Sequence, residues 1–165
     1  MKRAHVARSH CAGIVIADDN VFARKSLRSM LGELPGISIV GEACSGTEMI
    51  DLCLQVRPQV ALIDIRMPDM DGIAVTRVLA RALPDTKIII MSMMAEPLLL
   101  IEALRAGTCG YLLKDLSLDE LGVALDTVLG GGTYLNPELA TTTLRYLLAT
   151  VASTPVHSQC LGSLT

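Results

Sequence analysis

Short solid apolar runs alternate along the chain with segments that are apolar on one side only. Gly13 to Ala17, Val60 to Ile63 and Lys87 to Met91 are the clearest runs, and Ile37 to Val40 and Cys109 to Leu113 are weaker versions. Continuous runs of this length suit strands covered on both faces, as in a parallel sheet. Between them, Ala23, Leu27, Met30, Leu31 and Leu34 share one helical face, and Pro35-Gly36 then stops the helix. Thr47 to Val56, Asp71 to Leu83 and Glu96 to Ala106 read as further helices, ended by Arg57-Pro58, Pro84 and Gly107. Ser117 and Glu120 form a capping box for a fifth helix that runs to the Gly130-Gly131-Gly132 stop. Five strand-helix units in alternation predict a doubly wound α/β sheet with helices on both faces.

Asn136 as N-cap and Pro137 at the first helical position start one more helix, with Ala140, Leu144, Leu147, Leu148 and Val151 as its apolar stripe. The organisation expected is a flexible tail over 1–12, a globular domain over 13–132, an extra helix over 133–152 and a linker over 153–165.

Composition narrows this picture in three ways. Only 2% of residues are aromatic, so the core must be aliphatic. The formal net charge of -3 disfavours direct nucleic-acid binding, and Lys2, Arg3 and Arg8 read as a short solvated tail. Five scattered cysteines without Cys-x-x-Cys spacing suit a reducing compartment, and His5, His10 and His157 lack ligand spacing. Neither a signal peptide nor a run of ~18 apolar residues is present, so a soluble cytoplasmic protein without membrane contact is expected.

In a doubly wound sheet, function gathers at the carboxyl ends of the strands. Asp18 and Asp19 close the first strand, Asp64 the third, Ser92 the fourth and Lys114 the fifth. Three carboxylates meeting in one crevice remain ionised together only beside a cation. Hard oxygen donors in a small site suit Mg²⁺. Lys114 can pair with a carboxylate and then with a phosphoryl oxygen, and Ser92 can donate to another. Each residue alone has a plainer role. Asp19 or Asn20 can simply cap the first helix, a Lys after a strand is usually solvated, and a Ser there is usually a turn residue. The joint pattern points to phosphoryl transfer.

IADD, LIDIRMPDMDG, MSMM and GYLLKD together resemble the receiver domain of two-component response regulators. Asp64 lies 45 residues after Asp19, with Ser92 28 and Lys114 50 residues beyond Asp64, and the resemblance runs from about Ile14 to Gly132. It implies a flavodoxin-like, three-layer α/β/α fold of five parallel strands in the order 2-1-3-4-5. It also implies that Asp64 accepts a phosphoryl group from a sensor histidine kinase. Mg²⁺ would be held by Asp19, Asp64 and the backbone carbonyl of Arg66, with Asp18 acting through water. Lys114 and Ser92 would hold phosphoryl oxygens. Ser92 and Tyr111 would form the switch, Tyr111 turning inward as the surface of the fourth helix, fifth strand and fifth helix changes. Arg66 and Met94 occupy positions that tune phosphate arrival and loss.

Within the family, GEACSG and the stretch from GYLLKD to GGTYL resemble the NarL/FixJ subfamily, whose members carry a helix-turn-helix domain after the receiver. Leu164-Thr165 matches the start of that domain, so contact with DNA is expected only through an absent C-terminal part. Leu98 and Ile101 lie opposite the sheet-facing side of the fourth helix and are expected to contribute to a contact of the phosphorylated state, such as a homodimer.

Three rival readings remain. A stand-alone or degenerate receiver would act by protein contact alone, which the intact set of Asp19, Asp64, Ser92 and Lys114 disfavours. A haloacid-dehalogenase-type phosphatase needs a second Asp where Arg66 stands. A flavodoxin-like cofactor binder needs a phosphate-cradling loop that the first strand-helix turn lacks. The chain therefore reads as a switch, not a conventional enzyme, that catalyses only its own phosphorylation and dephosphorylation.

Overall fold

The computed structural model describes residues 10–153. The rest of the expected tail and of the expected linker, with His5, His157 and Cys160, lies outside the described residues. The elements in order are β1 (Ala12–Ala17), α1 (Val21–Gly32), β2 (Ile37–Ala43), α2 (Gly46–Val56), β3 (Val60–Asp64), α3 (Gly72–Ala82), β4 (Lys87–Ser92), α4 (Pro97–Ala106), β5 (Gly110–Leu113), α5 (Leu118–Leu129), β6 (Tyr134–Leu135) and α6 (Pro137–Ser153).

The strands form one parallel sheet in the order β2-β1-β3-β4-β5-β6. β3 is buried along its whole length, which explains its unbroken apolar sequence up to Asp64. Alternate residues feed two cores. Ile14, Ile16, Leu62 and Ile89 pack with Leu27 and Leu31 of α1 and Leu121 and Leu125 of α5. Val15, Ile63, Ile88 and Ile90 pack with Met49 and Cys53 of α2, Val75 and Leu79 of α3, and Leu100 and Ala103 of α4. Burial pushes the Cys53 thiol up to about 12, so it stays a neutral core side chain.

The structure adds a sixth strand to the five expected. Tyr134 and Leu135 pair in parallel with Gly110 and Tyr111, covering the edge of β5. The capping box of α5 is half formed. Ser117 Oγ accepts from the Glu120 amide at 3.1 Å, but the Glu120 carboxylate turns outward. It accepts from the Tyr134 hydroxyl at 3.2 Å and lies 3.5 Å from Asn136 Nδ2. A side chain expected to close a helix end thus ties α5 to β6 and the start of α6.

α6 starts as expected, with Asn136 Oδ1 accepting from the Leu139 amide at 3.0 Å, but it docks by another face. Leu139 and Thr143 are its buried residues, and the helix packs against α4. The expected stripe of Leu144, Leu147, Leu148 and Val151 is exposed. Sequence periodicity shows that a helix has an apolar side; it does not show what that side meets.

Candidate phosphoacceptor site

The chain turns tightly at each strand tip, and each turn fixes one polar side chain. After β1, the Asp18 carboxylate accepts from the Asn20 amide at 2.9 Å, and Arg24 Nη1 donates to the Asp18 carbonyl at 2.6 Å. Asn20 caps α1, accepting from the amides of Phe22 and Ala23. Asp19 is therefore not the helix cap; its side chain is exposed beside the crevice. Sequence reasoning left Arg24 out, although it sits one turn into α1 on the side of Asp18.

After β3, the chain returns onto itself, with the Gly72 amide donating to the Ile65 carbonyl at 2.9 Å. A Cβ at position 72 would collide with the Asp64 carbonyl oxygen. Only glycine lets α3 start this close to the strand that presents Asp64. Asp71 caps α3 through the Ala74 amide at 2.8 Å. Asp69, in the same loop, accepts from the Gly46 and Thr47 amides and the Thr47 hydroxyl. These donors hold its carboxyl well below the usual range, Thr47 first among them. Asp69 thus fastens the loop after Asp64 to the start of α2, a role its place in PDMDG did not reveal.

Asp18 and Asp64 are buried at 6% exposure each, and Lys114 Nζ bridges them at 2.7 and 3.1 Å. Oxygen atoms of Asp18, Asp19 and Asp64 lie within 4.8 Å of one another. The wall beside them is apolar, formed by Ala23, Leu27 and Met30. Burial, and then the Asp18 charge, push the Asp64 carboxyl above its ordinary value, with Lys114 pulling the other way. Burial alone would lower the Lys114 ammonium. Its hydrogen bond to Asp18 and the two carboxylate charges outweigh that and hold it above its ordinary value. Lysine supplies the positive charge that lets two buried carboxylates stand side by side. The donor set is all hard oxygen, with one member exposed, and fits a divalent ion such as Mg²⁺.

Met94 joins the remaining residues. Its amide donates to Ser92 Oγ at 3.0 Å, its carbonyl accepts from the Tyr111 hydroxyl at 3.3 Å, and its sulfur lies 2.7 Å from Arg66 Nη2. Ser92 and Tyr111 are both fully buried. Tyr111 was expected to turn inward on phosphorylation; here it is already inward, packed in the same core cluster as Leu139 of α6. Burial raises its hydroxyl above the ordinary tyrosine value. Leu98 is exposed as expected. Ile101 is half-buried instead, on the helix that α6 packs against. Asp64, Asp18, Asp19 and Lys114 thus come together at one point, and Ser92, Met94 and Tyr111 form a linked row beside them.

A sequence profile described as the response regulator receiver domain matches residues 14–126. The chain belongs to that family. Known regulators are similar over about three quarters of the chain. The response regulator GacA of Pseudomonas aeruginosa is 31% identical over 127 residues, covering 77% of this chain and 59% of its own length. The transcriptional regulatory protein LnrK of Bacillus subtilis is 36% identical over 126 residues, covering 76% and 57%. The chain therefore spans a little under three fifths of these relatives. Among solved structures, a LuxR-family two-component response regulator from Aurantimonas sp. superposes with a TM-score of 0.80 at 26% identity, over 84% of this chain and 99% of that one. The receiver fold expected from the sequence is the fold found, extended by β6 and α6.

Proposed function

We propose that the chain is the phosphoacceptor switch of a response regulator, in which Asp64 takes a phosphoryl group from a sensor histidine kinase and changes an output that is transcriptional. The observation that carries this reading is the convergence of Asp64, Asp18, Asp19 and Lys114 within one crevice at the carboxyl end of the sheet.

The Asp64 carboxylate oxygen attacks phosphorus as the nucleophile. The bond from phosphorus to the donor breaks, and its electron pair leaves with the donor. Lys114 already lies at hydrogen-bonding distance from Asp64 and can follow the charge onto a phosphoryl oxygen. Ser92 Oγ now accepts from the Met94 amide; rotation of the hydroxyl toward the phosphoryl group gives a second donor. Asp19, Asp64 and the Arg66 carbonyl would hold Mg²⁺, with Asp18 acting through water. When bound, the ion neutralises charge on the transferred group. Val21 and Phe22 are exposed on the first turn of α1, beside Asp18 and Asp19. They offer an apolar landing for the kinase helix or domain that carries the phosphohistidine.

The family's regulatory role excludes no self-catalysed step, so phosphorylation and dephosphorylation of Asp64 are the activity proposed here. Contact with DNA would come through sequence that the relatives have beyond the matched stretch. Leu98 stays a candidate for a contact of the phosphorylated state; Ile101 contributes only its exposed part.

Mg²⁺ with acetyl phosphate should add one phosphoryl group to the wild-type chain and none to Asp64→Asn, as read by intact-mass spectrometry. An equal gain in both would overturn the assignment. Asp19→Asn should abolish Mg²⁺ binding with the fold intact, because the exposed Asp19 side chain caps no helix.

A further inference from the structure

An apolar row that neither core explains runs along α6. Taking about 100° per residue, the docked residues Leu139 and Thr143 lie about 90° around the helix from the centre of the Ala140, Leu144, Leu147 and Val151 row. The row thus borders the contact with α4 at Ala140 and Thr143 and turns away from it beyond, where Leu144, Leu147, Leu148 and Val151 are exposed. Leu144, Leu148 and Val151 are 61%, 69% and 70% exposed. The docked face is also thin. Beyond Thr143 every residue to Ser153 is exposed, and the buried Thr143 hydroxyl has no partner among the described residues.

The spacing of the row is four, three, four. That is the repeat of a coiled-coil seam, with Leu144 and Val151 at one core position and Ala140 and Leu147 at the other. The flanking positions of such a seam normally carry the charges that choose a partner. Here they are Thr141 and Leu148 on one side and Thr143 and Thr150 on the other. The single cation of the segment, Arg145, points away from the row. Nothing on this face repels a like copy, and nothing recruits a charged partner.

We infer that α6 is a self-association element, pairing with α6 of a second copy of this chain along Ala140, Leu144, Leu147, Leu148 and Val151. The area places the contact in the small, weak class. Side chains of this size bury roughly 100 Å² each, so a pair of helices removes about 900 Å² from water, below the ~1,200–2,000 Å² of stable specific interfaces. The pair is therefore weak, with a dissociation constant on the order of 10–1000 µM. It goes beyond the phosphoacceptor reading, because it requires no phosphate on Asp64.

Sedimentation equilibrium of the whole 165-residue chain, from about 10 µM to about 1 mM, tests it. The unphosphorylated wild type should show a monomer-dimer equilibrium that raised salt does not weaken. Leu144→Gln with Leu147→Gln and Val151→Gln should weaken it at least tenfold, while acetyl phosphate still modifies Asp64. Leu144→Ala with Leu147→Ala should also weaken it; alanine holds the helix best, so this variant separates loss of the seam from loss of the helix. A wild type that stays monomeric throughout would overturn the proposal. So would a dimer that both α6 variants keep, or one that only Leu98→Ser disrupts.

Discussion

The phosphoacceptor crevice and the outer half of α6 break the usual rule of burial in opposite senses. At the crevice, two carboxylates are buried against an apolar wall and held by one lysine. On α6, leucine and valine stand in water while a threonine hydroxyl is buried. Each arrangement costs stability in the isolated domain, and each becomes favourable when something arrives. On the roles proposed for them, the crevice would gain from a cation and a phosphoryl group, and α6 from another apolar surface. Sites that give up stability in the free state are where binding energy is waiting.

The contrast breaks most sharply at Gly72. Gly72→Ala places a methyl group against the Asp64 carbonyl and should cost about 3 kcal/mol or more, because backbone must move. Denaturant unfolding measures this, and Asp64 phosphorylation should slow with it. Lys114→Met comes next. It leaves Asp18 and Asp64 facing each other without their cation and should cost about 2–3 kcal/mol at neutral pH. The loss should shrink as pH falls, because Asp64, already raised in the folded protein, takes up a proton.

Asp64→Asn should act in the other direction. Its carboxyl is raised in the folded state, so the folded protein binds the proton more tightly than the unfolded one. The resulting cost is absent below the ordinary carboxylate range and appears as pH rises through the raised value. At neutral pH the variant should be more stable than the wild type, with a higher Tm by calorimetry, and the gain should vanish below the ordinary carboxylate range. Lys114 is raised too; its contribution is present below the ordinary lysine range and lost as pH climbs past it. The smallest effect belongs to α6. Leu144→Gln with Leu147→Gln should move the monomer's stability by less than ~0.5 kcal/mol, since neither side chain packs on the domain.

Much of this was readable from the sequence, for physical reasons. Strands buried on both faces announce themselves by unbroken apolar runs, so β1, β3 and β4 were plain. Asp64, Asp19, Ser92 and Lys114 could be singled out as candidates because strand ends collect polar chemistry in this architecture. β6 was missed because two residues have no periodicity to read. The outward turn of Glu120 was hidden because its partners, Tyr134 and Asn136, are remote in spacing from a capping box. The face on which α6 docks was misread because its strongest apolar stripe lacks a partner within the described residues. Met94 was noticed as a neighbour of the proposed phosphate site. That its backbone joins Ser92 to Tyr111 is a matter of loop geometry, which no pattern of residue types encodes.

The central claim is that Asp64, and no other carboxylate of the crevice, carries the phosphoryl group. Borohydride reduction of the protein after treatment with Mg²⁺ and acetyl phosphate converts an aspartyl phosphate to homoserine, which peptide mass spectrometry then locates. The account predicts homoserine at position 64 alone, with Asp18 and Asp19 recovered as aspartate. Homoserine at either of those residues, or an unmodified position 64 in a protein that has gained phosphate, would contradict it.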